Sequence, residues 1–408
     1  MPASTDQIDL YDPAGYVAAA PHEHFARLRR EQPVFRQEMP DGTHYWALLK
    51  HADVVDVSKR PELFSAERGG VVLEDQPPEQ LEQTKNMLLM MDPPRHSELR
   101  KKVYPHFRPR QVSELEPRIR EICRELCAMG VEKGELEFVH ELAALIPSQV
   151  FGELMGIPQE DRAQINRWAE MMTGGQDPDL NPDGYTSGSG NEGSVEMAMY
   201  GMRYAQARRG YDGEPRDLGD LLLATEIDGR SMDDMQFAYF FVQVVTAGND
   251  TTRTMISSGL LELVQHPDQL ALLREDRSLA PSALEEILRY APPLHYFRRT
   301  LSADTEVRGQ PIRAGEKIAM IYTSTNRDED VFTEPDTFDI RRHPNPHLAF
   351  GIGEHFCLGV HLARLEGRIF LEEMLGAWSD VELTDEPKRQ RSNLNNALKS
   401  LPVRIRAA

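Results

Sequence analysis

Three short runs of the chain combine residue types that suit chemistry better than ordinary structure. The first is Phe350-Gly351-Ile352-Gly353-Glu354-His355-Phe356-Cys357-Leu358-Gly359, which feeds a helical pattern, VHLARLEGRIFLEEMLGAW. Cys357 falls at the N-terminal edge of that helix, where unpaired N–H groups and the positive end of the dipole favour a thiolate. Gly359 allows an N–H to approach the sulfur, and Gly351 and Gly353 allow a tight loop before it. A lone cysteine placed this way is a candidate metal ligand or nucleophile, with a buried structural thiol as the plainer reading. A dinucleotide-binding glycine loop is the rival. It needs a third glycine where this chain has Phe356, and a strand where this chain has PNPHLAF.

The second run, Ala247-Gly248-Asn249-Asp250-Thr251-Thr252, lies inside a helical stretch that is apolar nearly all round (FAYFFVQVV). Small residues, an acid and β-branched alcohols are poor choices for the middle of a buried helix. A buried acid is costly unless paired or used. Gly248 and a threonine hydroxyl competing for a carbonyl let the helix open there, a kink tolerated for packing being the alternative. Gln243, Ala247 and Thr251 share one face at i, i+4, i+8, so something that needs a small side chain at Ala247 lies against it. The third run is Glu286 with Arg289 in EEILRY, an i,i+3 pair of a kind that is usually solvated and weak.

The elements that must position these runs are mostly helices. Apolar spacing predicts helices over 21–32, 52–60, 95–107, 114–129, 136–155 and 160–172. The longest, 232–265, opens at Ser231 as N-cap and ends before Pro267; its apolar interior should cross the centre of the molecule. A further helix, 281–290, leads into strand-like runs over 296–321, and HYWALL at 44–49 and LPVRIRA at the C-terminus read as strands. Residues 1–20 read as an irregular arm. The segment 173–194, TGGQDPDLNPDGYTSGSGNEGS, is dense in Gly, Asp, Pro and Ser and reads as a mobile lid loop rather than a linker. The expected fold class is mainly α with small β-sheets, in one unit over 1–408.

Composition narrows the function. Among 408 residues, 46 Lys and Arg face 66 Asp and Glu, a net charge of −20 that disfavours nucleic-acid binding. The strongest apolar stretch, Phe237 to Gly248, is too short for a membrane span, and the N-terminus has neither a basic nor an apolar leader region. No membrane anchor is expected, and the cytoplasm is the expected compartment. Of the three cysteines, Cys123 and Cys127 sit on one helical face as packing residues, so no disulfide framework is possible.

With these runs in order, the chain resembles the cytochrome P450 family, the haem-thiolate monooxygenases, over essentially its whole length. FGIGEHFCLG matches the haem-binding pattern F-G-x-G-x-H-x-C-x-G without a gap, AGNDTT matches the oxygen-activation segment, and EILR matches E-x-x-R. DVFTEPDTFDIRR is similar to the family's meander and places Arg342 as partner of Glu286 and Arg289 in a structural triad.

The resemblance implies the cytochrome P450 fold, haem b held by Cys357 as axial thiolate, and O2 as co-substrate. It nominates His96, Arg100, Arg299 and His355 for the haem propionates, and Asp250 and Thr251 as the acid–alcohol pair that relays protons. Electrons would come from a separate ferredoxin or flavodoxin that docks near basic residues such as Arg100, Lys101 or Arg364 and is reduced by an NADH- or NADPH-dependent reductase. The implied reaction is hydroxylation of an apolar small molecule: a terpenoid, steroid or branched lipid. Met87, Leu88, Gln243, Ala247, Leu294, Phe297 and Leu394 are the pocket candidates, with His295 or Tyr296 holding one polar group. A haem-thiolate isomerase, dehydratase or coupling enzyme, and a non-catalytic haem sensor, are the other classes. The intact Asp250–Thr251 pair speaks against both.

Overall fold

The computed structural model describes residues 8–181, 192–227 and 230–408, and these are mainly α with small β-sheets. The long helix Asp234–Gln265 runs through the middle and touches the helices Leu145–Leu154, Gln159–Thr173, Glu192–Arg208, Ala280–Tyr290 and Val360–Ala377. Its two ends are buried in different cores. Phe237, Phe240, Phe241, Val242 and Val245 pack with Leu88, Phe151, Met197 and Tyr204. Met255, Ile256, Leu260 and Leu263 pack with Ile287, Ile369, Phe370 and Trp378. The polar stretch Thr246–Thr254 lies between the two.

Asp233, not Ser231, caps this helix. The Asp233 carboxylate accepts from Gln236 N and the Gln236 amide oxygen accepts from Asp233 N, a reciprocal box that Ser231 has no partner to make. The helix also runs on through Gly248 without a break. Thr251 Oγ1 donates to Ala247 O at 2.6 Å, adding a bond to that carbonyl rather than opening the turn.

A five-stranded sheet supplies the other wall. In spatial order its strands are Val34–Glu38, His44–Leu48, Lys317–Ile321, Tyr296–Leu301 and Phe64–Ser65. All pairings are antiparallel except Lys317–Ile321 with His44–Leu48. The two-residue alternation of Tyr296–Leu301 places Phe297, Arg299 and Leu301 on one face and Tyr296, Arg298 and Thr300 on the other.

Two further expectations change. The helix expected over 136–155 is interrupted: Glu135–Glu137 is a strand pairing with Pro402–Ala407, a π-turn spans Val139–Ala143, and the α-helix is Leu145–Leu154. The Gly- and Asp-rich segment 173–194 is not loop throughout. Residues 182–191 lie outside the described residues, Glu192 already begins a helix, and 173–181 is pinned. There Asp177, fully buried, pairs with Lys399 Nζ at 3.1 Å and accepts from Arg391 N at 2.8 Å. Cys123 and Cys127 are buried packing residues, their thiols pushed well up by burial.

Candidate active site

The cysteine loop is shaped by its own backbone. Cys357 N donates to Phe350 O at 2.9 Å, closing the loop, and Gly353–His355 forms a single 3-10 turn inside it. Gly353 has φ +77°, and a Cβ there would sit 2.2 Å from Ser58 O, so no other residue fits. Cys357 stands just before the helix Val360–Ala377 and is partly open. Burial pushes its thiol up, while the Gly359 N–H and the Arg100 and Arg364 guanidiniums pull it down toward the thiolate.

Beside the loop lies a group of buried polar side chains with few partners. His96 is 1% exposed and neither ring nitrogen has a hydrogen bond; His355 Nε2 is likewise unpaired. Their rings stand 4.3 Å apart. Arg299, brought in by the strand face it shares with Phe297, is buried and donates to the carbonyl of Arg298 at 2.7 Å. Arg100 donates to Phe356 O at 2.5 Å. Burial, helped by Arg100, holds His96 down to about 4, and burial with Arg299 and His96 keeps His355 well below its ordinary value. An unpaired buried donor costs about 1–3 kcal/mol, so such a cluster calls for a bound hydrogen-bond acceptor.

Asp250 and Thr251 diverge from the central helix. Thr251 is half-buried on the same face as Ala247, which is exposed. Asp250 is 5% exposed and points toward the helix Gln159–Thr173. It pairs with Arg253, whose other arm meets Glu170 Oε1 at 2.9 Å; His140 Nδ1, partly exposed, lies 3.6 Å from the same oxygen. Burial raises the Asp250 carboxyl, opposed by Arg253 and by a hydrogen bond from Thr173. Arg253, Glu170, Thr173 and His140 were missed from sequence. Only Arg253, three residues past Asp250, carried a local signal.

Glu286, Arg289 and Arg342 come together. Both carboxylate oxygens of Glu286 meet Arg289 at 2.8 Å and Arg342 Nε at 3.2 Å. Arg289 also donates to the carbonyls of Asn326, Pro335 and Thr337, and Glu286 accepts from Asp339 N and Asn345 Nδ2. The pair that looked solvated in sequence is fully buried.

Of the pocket candidates, Met87, Leu88 and Gln243 are linked, since Gln243 Oε1 accepts from Leu89 N at 3.3 Å. Leu294 bridges to Asn395, next to Leu394. Phe297 lies against Tyr322 at 6.2 Å. His295 Nδ1 bonds Thr323 Oγ1 at 2.8 Å and its ring packs on Tyr16, while the Tyr296 hydroxyl accepts from Leu73 N at 3.3 Å. Arg364 is held by Glu285 at 2.7 Å and stacked on Phe350.

Residues 197–405 match the family model described as cytochrome P450. The whole chain is 34% identical to 87% of a steroid C26-monooxygenase of Rhodococcus jostii. Over 93% of the chain it is 38% identical to a methyl-branched lipid omega-hydroxylase of Mycobacterium tuberculosis, covering 90% of that protein. A Mycobacterium marinum cytochrome P450 in complex with pseudoionone superposes with a TM-score of 0.91 at 36% identity, over 98% of this chain and 99% of that one. The chain therefore belongs to the cytochrome P450 family. It is a P450 monooxygenase, an enzyme class that uses haem and O2, takes electrons from a redox partner and acts on apolar substrates. The orphaned imidazoles, with two guanidiniums that meet only backbone carbonyls, beside a partly open cysteine fit a group that carries a metal and two carboxylates. Among the described residues, no helix is long and apolar enough to cross a membrane.

Proposed function

We propose that this chain, as a single catalytic unit over 1–408, hydroxylates an unactivated C–H bond of a steroid, terpenoid or methyl-branched lipid. Electrons come from a ferredoxin or flavodoxin reduced by an NADH- or NADPH-dependent reductase. What supports the substrate class is the character of the pocket candidates: Met87, Leu88, Leu294, Phe297 and Leu394 are apolar, and Gln243, the polar member, has its carbonyl tied to Leu89. Relatives named for steroid and methyl-branched lipid oxidation support it.

In this reading Cys357 would hold the haem iron through its thiolate, and His96, Arg100, Arg299 and His355 would hold the propionates. Bound haem supplies dioxygen activation. The chain's own residues exclude water from the apolar side and manage protons. Asp250, raised by burial, takes up a proton more readily than an exposed acid does. The Thr251 hydroxyl, resting on the Ala247 carbonyl, turns to pass a proton on. Glu286, Arg289 and Arg342 brace the meander beneath the cysteine loop.

The test is a spin-state titration with a sterol bearing an alkyl side chain, a methyl-branched fatty acid and pseudoionone, followed by product mass. A shift and a product one oxygen heavier are expected with at least one. Tight binding with an isomerised, dehydrated or coupled product would replace hydroxylation, and no response to any of the three would overturn the substrate class.

A further inference from the structure

Tyr239, Gln243, Ala247 and Thr251 stand four residues apart on the central helix and so form one slowly turning row along it. Within the row Ala247 is exposed, although the helix on either side of it is buried in two different cores. The segment 83–89 is fastened along the first half of the row at two points. The Tyr239 hydroxyl donates to Gln83 Oε1 at 2.8 Å, and Leu89 N donates to Gln243 Oε1 at 3.3 Å. Met87 and Leu89 also pack, with Phe297 of the five-stranded sheet, on Ala66, Val71 and Met90. The amide of Gln243 therefore sits where the central helix, this segment and the sheet side meet, one turn from Ala247.

The three polar side chains of the row differ in what they still offer. Tyr239 commits its one O–H to Gln83, and Thr251 commits its own to Ala247 O at 2.6 Å. Gln243 is different. A backbone N–H can only donate, so the atom meeting Leu89 N is the amide oxygen, and this settles which way round the amide sits. Its two N–H groups are on the other side. Among the described residues none accepts from Gln243 Nε2, and that nitrogen is accessible rather than sealed in. An oriented donor without a partner, next to an exposed alanine, suits an oxygen of a bound molecule. The row carries no cation, so a carboxylate there would lack a counter-charge; a neutral carbonyl or hydroxyl oxygen fits.

Resting on the reading that an apolar substrate is oxidised beside Thr251, we propose that Gln243 is a specificity-determining residue. Its amide N–H holds a ketone or hydroxyl oxygen at the end of the substrate remote from the carbon oxidised. Gln243 and Thr251 are separated by about 12 Å of helix axis, which sets the scale of the distance between those two points. The substrate is then an apolar molecule with one neutral oxygen at its far end, rather than a plain hydrocarbon or an acid anchored by its charge.

The experiment compares two probes in the holoenzyme: pseudoionone, with its ketone near one end, and the hydrocarbon in which a methylene replaces that carbonyl. Spin-state titrations of wild type, Gln243→Leu and Gln243→Met give the ratio of the two dissociation constants. Product analysis gives the position of the new hydroxyl. From wild type to Q243L the ratio moves against the ketone by about threefold to tenfold, the range for one neutral hydrogen bond. Wild type hydroxylates pseudoionone at the end away from the carbonyl, and Q243L spreads the hydroxyl over several carbons. Q243M, which keeps the length of the side chain, behaves alike and stands in should Q243L not fold. If the amide serves only to tie Leu89, both probes weaken together in the variants and the ratio is unmoved. That result overturns the proposal and leaves the apolar-substrate reading intact, as does a wild-type hydroxyl placed beside the ketone. A wild type that binds neither probe overturns that reading and the anchor with it.

Discussion

Two buried polar clusters flank the cysteine loop and are built on opposite principles. Around Glu286, the charged groups meet their complements: two guanidiniums, a backbone N–H and an amide share one carboxylate, and Arg289 also binds three carbonyls. Around His96, imidazole nitrogens are left without partners, and Arg299 reaches a carbonyl of its own strand. Burial is similar in the two; satisfaction is not. A complete cluster stabilises the chain by itself, whereas an incomplete one is finished by something the chain binds.

The largest effect expected from this contrast is in the complete cluster. Arg289→Ala leaves the Glu286 carboxylate buried with much of its pairing gone and should cost about 3–5 kcal/mol in urea unfolding of the haem-free protein. A loss under about 1 kcal/mol would mean that the network is not what braces the meander.

Next comes pH. His96 has a folded value of about 4 against an ordinary 6.5, so its contribution is fully present above 6.5 and is lost as pH falls through the folded value. Haem-free protein should therefore lose about 3 kcal/mol between pH 6.5 and 4 from this group. His96→Asn should flatten that window. Propionate binding, by pairing the imidazole, should do the same in the holoenzyme. An identical pH profile with and without haem would break the comparison.

Arg299→Leu separates the clusters further. It should leave haem-free stability unchanged or raised, since an unpaired charge is removed, yet weaken haem retention roughly 10- to 100-fold, the range for a charge-assisted bond. A destabilised haem-free protein with unaltered haem retention would place Arg299 in the structural class with Arg289. The smallest effect on stability is expected for Thr251→Ala, under about 1 kcal/mol. There the change appears in chemistry, with electrons diverted to peroxide and water; unchanged product per electron would remove Thr251 from the proton path.

The same contrast explains what could be read from sequence. The cysteine loop and AGNDTT are contiguous, so residue type and spacing single them out, and the family resemblance is what gives them roles. Glu286 and Arg289 were visible as a pair but resembled a surface bridge until the chain from 326 to 345 closed over them. Thr173, Asp177 and Lys399 had no local signal: their partners lie far along the chain, and their segment's composition read as a loop. Ser231 lost to Asp233 because capping is decided by the reciprocal residue at N3, here Gln236. His295 and Tyr296 adjoin Phe297 in sequence, but Tyr296 lies on the opposite strand face with its hydroxyl on Leu73 N, and His295 is bonded to Thr323.

The central claim is that Cys357 ligates haem iron beside imidazoles left unpaired for that purpose. The direct test is the absorption spectrum of the purified, reduced protein under carbon monoxide, wild type beside Cys357→Ser. A strongly red-shifted Soret band in the wild type, absent from the variant, is the expected result. Haem bound without that band would contradict the thiolate assignment. No haem uptake at all would return the cysteine to a packing role and leave the orphaned imidazoles and Arg299 without their ligand.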